Sequence, residues 1–310
     1  MIQRCDGAGC EGEIRALFQR NGWSHFDRCY PYLRAAGGTS WVAREDAGPV
    51  YGHVGVLPRT YRGPAGSTRG VVITDLLVDP AHRDFFSAVR LLSRAMEDLQ
   101  SEGSCAFAYS DPLPGARKVM EAAGFAPFGV LDRYVLPLFP PYLALFRLMG
   151  GVARLSLREA HQAEPPEGAV ALLDLPPLRY VRADRSAAEY RTRVEGEGLW
   201  LECRDTSGPV AVAFAARAVE GDTLTLRDVR WDERRTTVAA VVAVVARWAR
   251  AQGHRKVSLS TLVPSRMAGS LVRAGCFRRR DGLTLYARGL AGVPPAVDGW
   301  LVTGFDSSGW

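Results

Sequence analysis

The chain repeats itself once. Glu121-Ala122-Ala123-Gly124-Phe125 returns as Val272-Arg273-Ala274-Gly275-Cys276-Phe277, and Gln100-Ser101-Glu102-Gly103 returns as Ala251-Gln252-Gly253-His254. A period of about 150 residues is too long for a solenoid and matches one ordinary domain, so two copies of one fold are expected. The order of elements around these anchors agrees. In the first half, residues 12–20 read as a helix, and Trp41-Val42-Ala43 and Val50 to Val56 read as strands around a turn. Gly70 to Val78 is nearly continuous and β-branched, the pattern of a strand buried on both faces. The helix after Asp79-Pro80 carries Phe86, Val89, Leu92, Ala95, Met96 and Leu99 at helical spacing, which places Phe86 on the buried face, and it closes at Gly103. A short strand (105–109), a second helix ending at Gly124 and a closing strand (125–136) follow. The second half is expected to run through the same series from Leu199 to Ala287. The Pro-rich stretch 137–166 reads as a linker between an N-terminal domain, 1–136, and a C-terminal domain, 167–310.

Composition bounds the rest. With 310 residues, 47% hydrophobic and 23% charged, the chain is neither disordered nor a disulfide-dense mini-fold. The net charge of +6 is uneven: from Arg227 to Arg288 there are 14 basic residues against 4 acidic ones. Val135 to Met149 is greasy but cut by Pro137, Pro140, Pro141 and Arg147, so no membrane span is expected. The first residues have no export-signal pattern, and six scattered cysteines fit a reducing cytoplasm.

The element order resembles the GCN5-related N-acetyltransferase fold, present twice. Leu77-Val78-Asp79-Pro80-Ala81-His82-Arg83 is similar to that superfamily's entry from long strand to helix, and residues 117–125 are similar to its later helix ending in Gly-Phe. Residues 300–306 resemble the tail of tandem acetyltransferases from bacterial biosynthetic clusters. The resemblance implies an α/β (α+β) fold of two tandem domains, each a mixed twisted sheet flanked by helices. It also implies transfer of an acyl group from acetyl-CoA or another acyl-CoA to an amine of a small molecule, without a metal. A splayed parallel strand pair would hold the pantetheine arm at Leu77 and Val78 like an added strand. The phosphates would lie over the amides from Arg83 and Asp84 through Phe86 and Ser87 to Ala88, at a helix start. Asp111 stands where the family commonly has asparagine. Phe86 replaces a glycine of the phosphate loop, either as a core residue of the helix face or as a block or new contact that changes the donor, and Met120 and Leu271 replace the tyrosine acid in the two halves. Residues 232–237 contain no glycine, so the first half keeps more of the pattern.

Three readings follow from these departures. The donor is a CoA or acyl-carrier thioester; or it is an aminoacyl-tRNA, met by the basic run around Arg278, Arg279 and Arg280; or the fold binds without turnover. Asp75 interrupts an apolar strand three residues before Val78 and is the leading candidate for the catalytic base, with His53 on the neighbouring strand as a second. The alternatives are an ion-paired Asp75 and a satisfied structural His53. Tyr109 and Asp111 end the short strand, where they would touch a ligand or simply make a turn. Cys5, Cys10, His25 and Cys29 have a spacing that zinc tolerates, but the segment between Cys10 and His25 reads as the first helix, and no metal is expected. Trp300, Phe305 and Trp310 are expected to cover the domain interface.

Overall fold

The computed structural model describes residues 1–5, 8–46, 48–139, 155–161, 165–185, 189–190, 199–217, 222–291 and 299–303. Its first half opens with an edge strand β1 (Ile2–Cys5) and two helices, α1 (Glu11–Arg20) and α2 (Phe26–Ala35). Periodicity alone missed α2, because Pro31 sits inside it and reads as a break. Strand β2 (Thr39–Arg44) leads into a long hairpin, β3 (Val50–Gly63) and β4 (Gly66–Val78). Helix α3 (Phe85–Glu102), strand β5 (Phe107–Ser110), helix α4 (Arg117–Ala122) and strand β6 (Ala126–Pro137) complete the half. Gly124 and Gly275, the glycines that betray the repeat, both follow a helix in left-handed conformation, at φ 82° and 88°.

Helix α3 buries Ser87, Leu91, Leu92, Ala95, Met96 and Leu99 against the sheet. This stripe begins one residue later than expected. Phe86 therefore lies on the opposite side and is 70% exposed, beside a 44% exposed Phe85, so it is not a core residue.

Strand β7 (Ser156–His161) falls within the stretch expected to be a linker and forms the far edge of the sheet, antiparallel to β9 (Leu199–Asp205). Helix α5 (Glu167–Asp174) and strand β8 (Val181–Ala183) precede β9. Then come β10 (Gly208–Arg217), β11 (Thr223–Trp231), α6 (Val238–Ala251), β12 (Lys256–Leu262), α7 (Ser265–Arg273), β13 (Phe277–Gly289) and β14 (Trp300–Thr303). The N-caps of α3 and α6, Asp84 and Thr237, are 153 residues apart, and so are Asp79 and Asp232, which each accept the amide two residues ahead. The duplication is thus written in capping hydrogen bonds as well as in glycines.

One continuous sheet joins the halves, in the order β1-β2-β3-β4-β5-β13-β6-β12-β11-β10-β9-β7. The two closing strands are exchanged. β13, from the second half, pairs with β5, while β6, from the first, pairs with β12 along Lys256–Thr261. The joint is sealed by aromatic rings: Trp300 packs on Tyr61, Phe107 and Phe128, all from the first half. Phe305 and Trp310 lie outside the described residues. No described helix is long and apolar enough to cross a membrane. Cys5 and Cys10 form a disulfide, contrary to the expectation of reduced cysteines; the end of β1 and the turn before α1 bring their Cα atoms to 6.3 Å.

Candidate active site

Strands β4 and β5 run parallel and pair at only three positions, Gly70 with Phe107, Val71 with Ala108 and Val72 with Tyr109. Beyond these they part, and the Ser110 hydroxyl reaches across to donate to the Ile73 carbonyl at 3.2 Å. One edge of β4 stays paired to β3 as far as Val78, and no described strand covers the other. The second half parts in the same way, β11 leaving β12 after Leu226 and Leu259. There the gap is filled. β14 pairs with Thr261 and Leu262, and because β6 already holds the other edge of Thr261, β14 lies on the side facing β11.

A bulge sits in β4 beside the open gap. Register against β3 slips so that Leu77 faces His53 while Thr74 faces Gly55. Asp75, inside this slip, has a left-handed backbone at φ 48°, a conformation that costs a non-glycine residue energy and is kept only when the surroundings enforce it. His53 is one enforcer. Its Nδ1 lies 3.1 Å from the Asp75 carbonyl, which can only accept, so Nδ1 carries the hydrogen. Nε2 lies 3.0 Å from the Ser40 hydroxyl. Burial pushes this imidazole below its ordinary value. His53 is 1% exposed with both nitrogens occupied, which is the satisfied structural alternative and leaves no atom free to receive a substrate proton.

The Asp75 carboxylate meets residues from the start of the second helix. His25, at the N-cap of α2, places Nε2 3.7 Å from Oδ1, and Cys29, one turn further on, brings its thiol close to the same carboxylate while donating its hydrogen to the Phe26 carbonyl at 3.8 Å. Burial first, then Asp75, pushes the Cys29 thiol well above the usual range. The donor atoms of His25, Cys29 and Asp75 lie within 4.8 Å of one another. The four-residue zinc pattern is thereby broken up: Cys5 and Cys10 are tied to each other, while His25 and Cys29 converge on Asp75.

At the mouth of the gap, the start of α3 is already capped by an anion. Asp84 accepts the Ser87 amide at 2.6 Å and the Ser87 hydroxyl at 2.8 Å, and the amide bond holds its carboxyl below the ordinary range. Arg83 turns away to Asn21, and Arg20 ion-pairs with Asp79. Phe85 and Phe86 stand edge to face, with ring centres 5.6 Å apart. Leu77 and Val78 are buried at the end of β4, Ala88 is half-buried against the core, and Asp111 and Tyr109 are buried at the end of β5. Met120, standing where the tyrosine acid was expected, is buried too.

The repeat supplies an internal control. Asp228 lies 153 residues after Asp75, beside the filled gap. Arg185 and Arg230 donate to it at 2.5 and 3.0 Å, Tyr190 donates its hydroxyl, and Thr303 of β14 donates at 3.2 Å. Burial would push its carboxyl up, but the two guanidiniums overcome this and hold it far down. Equivalent aspartates thus have opposite surroundings, one beside an imidazole near an open gap and one locked under two arginines and a strand. The basic run is also partly internal: Arg230 is spent on Asp228, and Arg278 pairs with Asp132 at 2.5 Å. Arg279 is exposed and the Arg280 side chain lies outside the description.

No family model and no curated protein matches the chain. Solved structures do. A probable N-acyltransferase of unknown function from Enterococcus faecalis V583 superposes with a TM-score of 0.68 at 11% identity, over 94% of this chain and 73% of that one. A GCN5-related N-acetyltransferase from Anabaena variabilis ATCC 29413 gives 0.65 at 15% identity over 94% and 73%. A tandem GNAT protein from the clavulanic acid biosynthesis pathway gives 0.53 at 15% identity over 94% of this chain and all of that one. Parted parallel strands, the bulge beside them and the doubled element order carry the same conclusion: this chain has the tandem fold of the GCN5-related N-acetyltransferases.

Proposed function

We propose that the chain moves an acyl group from a pantetheine thioester, such as acetyl-CoA or another acyl-CoA, to the amine of a small molecule, and that the first half does so. The observation that carries this reading is the difference between the two gaps. Backbone groups on the open edge of β4, through Leu77 and Val78, suit an extended arm whose amides add like a strand. The matching edge in the second half is taken by β14. In direct transfer the amine nitrogen attacks the thioester carbonyl. The C–N bond forms, the C–S bond breaks, the thiol leaves as its anion, and the surplus proton on nitrogen passes to a base of the Asp75 cluster. No covalent enzyme intermediate is needed.

Two features favour an arm borne by a carrier protein as a second reading. The Asp84 carboxylate and the exposed Phe86 stand where a nucleotide diphosphate would otherwise lie on the start of α3. Titration calorimetry on the full chain tests the main reading. Acetyl-CoA should bind once per chain; no heat at millimolar ligand sinks the CoA version, and two sites per chain would sink the assignment to one half.

A further inference from the structure

We infer that His25 is the catalytic residue that receives the acceptor's proton, with Asp75 positioning it; this rests on the acyl-transfer reading above. Asp75 is poorly placed to meet a substrate alone. Its side chain is 8% exposed, against 24% for His25, and the Cys29 thiol lies close beside it. The imidazole is the more accessible of the two to solvent. With Nε2 turned to the carboxylate, the ring carries hydrogen on Nε2 and leaves the Nδ1 lone pair free, and Nδ1 makes no hydrogen bond to any described residue. The separation of 3.7 Å is longer than a formed hydrogen bond, as is common before a substrate tightens such a site.

The surroundings of His25 hold its ring beside a carboxylate. Asp75 from β4 and Cys29 from its own helix place their donor atoms within 4.8 Å of its ring, and Asp27 and Arg28 follow it in the first turn of α2. Phe18 of α1 and Trp23 of the following loop bring rings to 5.5 and 5.0 Å and fix its plane. Cys29 is held protonated and so adds no charge. Asp75 therefore supplies the counter-charge when the ring becomes an imidazolium, and His53 holds the strained Asp75 backbone that aims the carboxylate. The second half lacks the device: Asp228 faces two permanent cations, so it can neither accept nor relay a proton. In the step itself, the acceptor nitrogen bonds to the acyl carbon as the C–S pair leaves with sulfur. The N–H proton moves to Nδ1 of His25, and later passes to the thiolate or to water.

The test uses the full chain, acetyl-CoA and a panel of primary amines, with His25→Ala, His25→Gln and Asp75→Asn beside the wild type. His25→Ala should lower kcat about 100-fold, with the acetyl-CoA KM held within about twofold. Added imidazole should restore part of the loss in His25→Ala and none in Asp75→Asn, since only the first leaves a hole for a diffusible base. Undiminished turnover in His25→Ala overturns the inference, and so does a loss that imidazole does not touch and that follows a lowered melting temperature. Stoichiometric zinc that disappears in Cys29→Ser also overturns it, because the three side chains would then be ligands. A wild type that binds no acetyl-CoA, or binds it and acylates no amine, fails one step earlier and removes the acyl-transfer reading together with this one.

Discussion

His53 spends both ring nitrogens inside the fold, and this has a pH signature. Burial lowers its folded value beneath the ordinary 6.5, so between the two values the unfolded chain binds a proton that the folded chain refuses. Its contribution is complete above about 6.5 and is lost as pH falls below it, at up to about 1.4 kcal/mol per pH unit. Urea midpoints of the wild type should therefore fall between pH 7 and 5.5. His53→Gln should start lower, by about 1–3 kcal/mol for the disturbed buried hydrogen bonds, and lose this part of the slope. An equal slope in the variant would mean that the histidine titrates freely. At this scale the sequence was half legible. Asp75 stood out as a charge in an apolar strand, but the role of His53 depends on a bulge that no residue pattern announces. His25, 50 residues before Asp75, carried only the misleading signal of its spacing from three cysteines.

Single elements were legible where a buried stripe runs uninterrupted, as along most of α3, and misread where a proline interrupts it, as in α2, or where an element's ends are set by its neighbours. The start of α3 is the instructive case. Helical spacing groups Phe86 with the buried stripe, but Asp84 fixes where the helix begins and turns Phe86 out. The same cap has a consequence for ligands. A helix start attracts anions through its free amides and dipole, and here a fixed carboxylate occupies it and would repel a phosphate. Asp84→Gly keeps most of the capping preference, because glycine is tolerated at that position. It should tighten acetyl-CoA at low salt by about three- to fivefold, while S-acetylpantetheine, which has no phosphate, should be indifferent. Calorimetry with both ligands decides the matter: if both tighten alike, the substitution acts through the fold and not through charge. The strand β14 illustrates the opposite limit, since its place in the second gap depends on Thr261 and Asp228, far from it in sequence.

The whole molecule departs most from what the repeat suggests. A duplicated sequence invites two self-contained units with a linker between, and a boundary near 137–166 remains our proposal for where the chain divides. The sheet, however, does not divide there. Local patterns specify that residues 126–137 form a strand, but its partner is chosen by packing across the joint, where β12 outcompetes β5 as its neighbour. Each half alone would lose a central strand. The first would leave the edge of β5 that receives Tyr286–Gly289 bare, and the second would expose the edge of β12 that receives Asp132–Pro137. Such edges are costly in backbone groups and prone to pair with other chains. Residues 1–136 and 167–310 produced separately should therefore aggregate or unfold without cooperativity, and mixing them during refolding should recover a 1:1 complex. A monomeric 1–136 with a sharp thermal transition would show that β6 can close its own half, and the exchange of strands would then be a preference of the intact chain and not a requirement of the fold.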